Sequence, residues 1–124
     1  MEVSEGVLLA ARIVVGGAFL IIGIRNVGNI KLIAGMVKAN RFPMATLLTS
    51  MGVGMQIAFG ALMAVGLFPI ISAVGLLVFT VVATLMAHSF WMFRDKAERT
   101  QQINMFLGNM IMAGGLLALV AAAL

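Results

Sequence analysis

Only a few side chains in this 124-residue sequence could take part in chemistry, and the first to consider is the single histidine, His88. A neutral imidazole can both donate and accept a proton near neutral pH. Thr80 and Thr84 precede His88 at spacings of four residues, so the three side chains are predicted to share one face of a helix. Threonines inside helices often bond only a preceding backbone carbonyl. The three side chains could therefore form a functional site, or they could make only structural hydrogen bonds.

Two amides could act with His88. Asn109 is predicted to lie about 9 Å inside the last apolar stretch, at a depth similar to that of His88 from the same side, so the two are expected to come within hydrogen-bonding reach. Gln56 has Gly52 and Gly60 four residues away on either side. Small residues allow a neighbouring helix to approach closely. For Gln56 we therefore favour a bond between helices over a contact with a ligand.

Arg25, at the end of the first apolar stretch, completes a candidate ligand- or partner-binding site with His88, Asn109 and Gln56. One histidine without cysteines or a nearby carboxylate is not a metal site by itself. The sequence has no cysteine, and it contains neither a Ser/His/Asp set nor a glycine-rich phosphate loop. We predict no catalytic residue and no metal.

The elements that must position these side chains are membrane helices. Hydrophobic residues make up 63% of the chain and charged residues 10%, against about 25% charged in an average soluble domain. Strands are excluded because an open sheet cannot satisfy its backbone in lipid. The sequence predicts an all-α protein, an integral membrane four-helix bundle, as one domain over 1–124. The predicted spans are 7–24, 45–67, 69–91 and 103–124, with an amphipathic segment at 29–40.

The distribution of charge predicts the orientation of the bundle. Seven of the eight basic residues fall in or beside the loops at 25–43 and 92–102. Basic loops face the cytoplasm, so both termini are expected outside a cell inner membrane. The amphipathic segment is expected in the headgroup layer, and Trp91 is expected to anchor the third span at the interface.

Glycines are predicted to mediate helix packing at four positions: Gly52, Gly60, Gly114 and Gly115. Glycine lets two helix backbones approach closely in a membrane, where contacts between helices depend on fit. Gly60 in particular is expected to face another helix.

The sequence resembles the DoxX family of small membrane proteins. The first span is similar to that family's opening pattern in Arg12, Gly16-Gly17, Phe19, Gly23 and Arg25. Later similarities are Pro43, Ala83-Thr84, His88-Ser89-Phe90-Trp91, and Asn109 followed by Gly114-Gly115. Members usually carry Glu where this chain has Gln56, and often Lys where it has Gly108. The resemblance implies a four-helix fold and a link to quinone or sulfur redox chemistry.

Three functions are compatible with these features. The first is an accessory or structural subunit of a membrane complex such as a respiratory one, with other membrane subunits and the lipid bilayer as partners and no role for nucleic acid. The second is a quinone-linked redox protein with its site at the cytoplasmic headgroups, and quinone is the only cofactor that the resemblance indicates. The third is a small homodimeric transporter. It is the weakest, because four-helix exporters depend on a Glu in the first span and none lies within 7–24.

Overall fold

The computed structural model describes residues 2–124, and over this range the chain is all α-helical, as predicted. Four of its helices are long and apolar enough to cross a membrane. The helices are α1 (Val3–Val27), α2 (Ile30–Ala39), α3 (Ala45–Val65), α4 (Pro69–Ala87) and α5 (Lys96–Ala123), with a single 3₁₀ turn at Phe90–Met92.

The first and last spans extend further than the hydrophobic pattern predicts. Helix α1 begins at Val3 instead of residue 7, and Glu5 in its first turn interacts favourably with the helix dipole. Helix α5 begins at Lys96 instead of residue 103, because the Asp95 side chain accepts a hydrogen bond of 3.1 Å from the backbone N–H of Glu98. The polar segment 96–102 is therefore two turns of helix and not a loop.

A tight connection joins α3 to α4 as antiparallel neighbours along the chain. Gly66 ends α3 with a φ of 78°, in the left-handed region where glycine carries no steric penalty. The next N–H, that of Leu67, returns to the carbonyl of Leu62 at 2.9 Å. Pro69 then opens α4, where its missing N–H costs nothing. We call the end of the bundle at Gly66 the hairpin end, and the opposite end, with residues 25–43 and 92–102, the basic end.

The closest helix contact joins α1 to α3. A Cβ atom at Gly60 would lie 2.8 Å from the backbone N of Leu20 and 2.9 Å from the carbonyl oxygen of Gly16. A Cβ atom at Gly16 would lie 2.5 Å from the backbone N of Ala64. The two helices thus touch backbone to backbone, and only glycine fits at the crossing point.

Helix α5 is attached more loosely. Its Leu116 and Leu119 join a core cluster with side chains of the other three spans: Phe19, Met63, Ala73 and Leu76. Only 6% of the apolar stretch of α5 is buried, compared with 28% for α3. Most of the α5 surface therefore faces outward from the single chain.

Candidate functional site

His88 lies just after the end of α4, and its partner is Gln102 on α5. The Nδ1 atom of His88 is 2.9 Å from Oε1 of Gln102. Because an amide oxygen only accepts, this arrangement favours the tautomer with the proton on Nδ1. The bond ties the end of α4 to the second turn of α5 at the basic end.

The predicted hydrogen bond between His88 and Asn109 is replaced by this one. Gln102 precedes Asn109 by seven residues, about 10 Å along a helix. The early start of α5 at Lys96 brings Gln102, and not Asn109, to the level of His88. Asn109 itself is half-buried, deeper in the span.

Three aromatic rings pack against one another where the segment after α4 meets α5. Phe90, Trp91 and Phe106 pack edge to face, with ring centroids 5.2 to 6.4 Å apart. Trp91 is 53% exposed, which is compatible with the predicted anchoring role at a membrane interface. The hydroxyl of Ser89 is buried beside them and has no hydrogen-bond partner within residues 2–124.

Gln56 belongs to a different part of the molecule. It is buried on α3, and its Oε1 accepts a hydrogen bond of 3.3 Å from Nδ2 of Asn26 on α1. This is a bond between helices, of the kind favoured from the sequence. Arg25, next to Asn26, is exposed and makes no part of this contact. The structure therefore does not bring the four candidate site residues into one site.

The amide pair lies in the wall of a cavity of about 220 Å³ near the basic end. Residues of α1, α2, α3 and α4 line it, and Asn26, Thr49 and Gln56 are the polar ones. Thr49 was not predicted as a site residue, because a threonine on an apolar helix usually bonds its own backbone. Asn40 was not predicted either; its Nδ2 donates to the carbonyl oxygen of Met86 at 2.6 Å and ties the end of α2 to α4.

The four glycines chosen for packing have different environments. Gly60 lies at the backbone contact with α1, and a Cβ atom at Gly52 would lie 3.2 Å from the ring of Phe79 on α4. Gly114 and Gly115 are exposed, and in the described part of the chain nothing lies within 4 Å of a Cβ atom at either position. These two glycines do not pack helices within the single chain, because α5 turns this part of its surface outward, and their predicted role in helix packing stays a prediction.

The fold and the apolar spans together define a small multi-pass helical membrane protein. The family model of DoxX matches residues 7–89. The chain therefore belongs to the DoxX family, and the match covers α2 to α4 and all but the first four residues of α1, and ends before α5. No curated protein and no solved structure matches the chain.

Proposed function

We propose that this DoxX-family protein is a small accessory subunit that assembles with other membrane-spanning chains through one face of α5. The observation that carries the proposal is a row of exposed residues along this helix at alternating spacings of four and three. The row, here called the outer α5 face, is Asn104, Gly108, Ile111, Gly115, Ala118 and Ala122.

This spacing is the one that keeps a seam facing a partner helix along its whole length. Four of the six residues, Gly108, Gly115, Ala118 and Ala122, are also small, and Gly and Ala let helix backbones approach closely in lipid. A lipid-facing surface has no need of small residues, because lipid chains adapt to larger side chains. The outer α5 face therefore supports packing against a helix from another chain.

The proposal is tested by the size and content of complexes solubilised in mild detergent from the native membrane. The wild-type chain is expected in a complex that contains at least one different membrane protein. Gly115→Leu should release the chain as a monomer, because the larger side chain blocks the close approach. Gly54→Leu is the matched control, since Gly54 is exposed on α3 with nothing within 4 Å of a Cβ atom, and it should leave the complex intact.

Two results would contradict the accessory role. A wild-type chain that is monomeric in the mildest extraction has no partner to assemble with. A complex that contains only copies of this chain would favour the homodimeric transporter instead.

We propose further that the basic end faces the cytoplasm, with both termini outside. The charge distribution supports this orientation, because seven basic residues lie at one end of the bundle and one at the other. Single cysteines at Asn40 and Glu98, in a chain without other cysteines, should resist a membrane-impermeant maleimide in whole cells and react after permeabilisation. Strong labelling of either in intact cells would reverse the orientation.

A quinone-linked role is the second candidate, and the pair of His88 and Gln102 favours it. A half-buried imidazole at the basic end could exchange a proton with a quinone headgroup. Quinone should then co-extract with the purified wild-type protein and be lost in His88→Leu. Equal quinone content in the two proteins would remove this candidate.

A further inference from the structure

The cavity near the basic end is separate from both sites of the proposed functions. Its lining comes from α1, α2, α3 and α4, and includes neither a residue of α5 nor His88. Its volume of about 220 Å³ is several times the share of a water molecule in the liquid, about 30 Å³. The cavity therefore has room for a ring-sized molecule or for one such part of a larger one.

One hydroxyl in the cavity wall lacks a partner. Three threonines of the spans are at least nine-tenths buried. Thr80 and Thr84 each donate to the carbonyl four residues earlier, those of Leu76 and Thr80. Thr49 is 6% exposed, and its Oγ1 has no hydrogen-bond partner among residues 2–124. An unpaired hydroxyl inside a membrane protein is costly. The oxygen itself is covered in this structure, and a rotation of the Thr49 side chain about χ1 would be needed to bring it to the cavity surface, where a group from outside the chain could bond it.

The rest of the lining defines the chemistry of that group. Among the described residues no charged side chain lines the cavity, so an ion would lose its hydration without compensation. The walls are otherwise apolar and include Phe79 and three methionines: Met51, Met55 and Met86. Thioether side chains adapt to irregular shapes and contact aromatic rings favourably. The cavity thus fits a neutral, apolar molecule that carries a hydrogen-bonding oxygen.

The position of the cavity indicates how such a molecule arrives. Met51, Val78 and Val82 line it from the outer surfaces of α3 and α4, where they are exposed. On the side of the basic end, α2 covers it with Ile33 and the buried Val37. The cavity therefore opens sideways, toward the outward-facing surfaces of α3 and α4.

We propose that this cavity binds a neutral, membrane-soluble molecule whose hydroxyl or carbonyl group forms a hydrogen bond with Thr49. Thr49 lies about one turn inside α3, which begins at Ala45, and so the polar group is held near the basic end. The bonded amides of Asn26 and Gln56 lie two turns deeper along α3, about 10 Å away. The apolar body of the ligand occupies the space between.

The test uses three probes of similar shape in nanodiscs that contain the full chain: 4-methylphenol, 1,4-dimethylbenzene and 4-methylbenzoate. Binding is followed by NMR of labelled methionine methyl groups. Met51, Met55 and Met86 report on the cavity, and Met110, exposed on α5, is the internal control. The neutral phenol is expected to shift the three cavity signals, and the benzoate anion is expected to leave them unchanged.

Thr49→Val removes the hydroxyl and keeps the shape of the side chain. It should weaken phenol binding by about fivefold, the typical contribution of one hydrogen bond, and leave 1,4-dimethylbenzene unaffected. Each probe is compared between two proteins in the same lipid, so its partition into the bilayer cancels. Thr84→Val, which deletes a hydroxyl bonded within its own helix, should change neither probe, and Thr49→Ser should retain the phenol.

Three outcomes would overturn the proposal. The first is that no probe shifts the cavity methionines, which would leave the cavity without a ligand of this class. The second is equal phenol affinity in the wild type and Thr49→Val. The third is a loss of phenol preference in Gln56→Leu but not in Thr49→Val, which would move the anchoring group to the amide pair.

Discussion

Glycines lie both on the pair of helices α1 and α3 and on helix α5, but their surroundings differ. On α1 and α3, a Cβ atom at Gly16 or Gly60 would come within 2.5 to 2.9 Å of the backbone of the other helix. On α5, nothing lies within 4 Å of a Cβ atom at Gly108, Gly114 or Gly115 in the part of the chain that the structure describes.

The comparison separates two uses of glycine in a membrane helix. At the crossing of α1 and α3, glycine permits a contact within the chain, and the fold depends on it. On α5, no contact within the described part of the chain uses the missing side chain, and a role for these glycines rests on the partner chain proposed above. Glycine spacing alone therefore does not tell whether a close helix contact is made within the chain.

The strongest test of this difference is Gly60→Leu. The side chain would meet the backbone of Leu20, which cannot move away as a side-chain tip can. We expect α1 and α3 to separate and the protein to lose about 3 kcal/mol of stability through overpacking. Thermal melting in detergent measures this loss.

Val65→Leu is the control for Gly60→Leu, since Val65 is 68% exposed at the hairpin end of the same helix. It should change stability by less than about 0.5 kcal/mol. Similar melting temperatures for the two variants would show that the backbone contact between α1 and α3 does not stabilise the fold.

Much of the fold follows from hydrophobicity and turn residues. Four apolar stretches, Pro69 after Gly66 and the basic loops were enough to predict an all-α four-span bundle. The start of α5 was not predictable in the same way, because residues 96–102 are polar and Asp95 caps them into helix through a local hydrogen bond. That extension of seven residues moved the partner of His88 from Asn109 to Gln102.

The cavity was even less accessible to sequence reasoning. It is formed where four helices meet, and most of its lining residues are apolar ones that any membrane helix contains. Thr49 differs from Thr80 and Thr84 only in lacking a hydrogen bond. No spacing in the sequence records that difference, since it depends on the position of the side chain.

A second test concerns the glycines of α5. Gly108→Ala adds a methyl group where no atom of the described chain lies near, and alanine favours a helix over glycine by roughly 0.5 kcal/mol. The isolated chain should therefore become slightly more stable, in contrast with Gly60→Leu. A clear loss of stability in the detergent-purified monomer would mean that the outer α5 face packs within the chain.

The smallest expected effect belongs to the hydrogen bond between Asn26 and Gln56, which supplements the glycine contact between α1 and α3. Hydrogen bonds between membrane helices contribute about 0.6 kcal/mol on average. A double-mutant cycle with Asn26→Leu, Gln56→Leu and both changes isolates this coupling from the loss of each side chain. A coupling of about 0.6 kcal/mol would show that the amide bond adds little to the contact that the glycines make between the two helices. A coupling above about 2 kcal/mol would contradict that order and would make the amide pair a principal tie between α1 and α3.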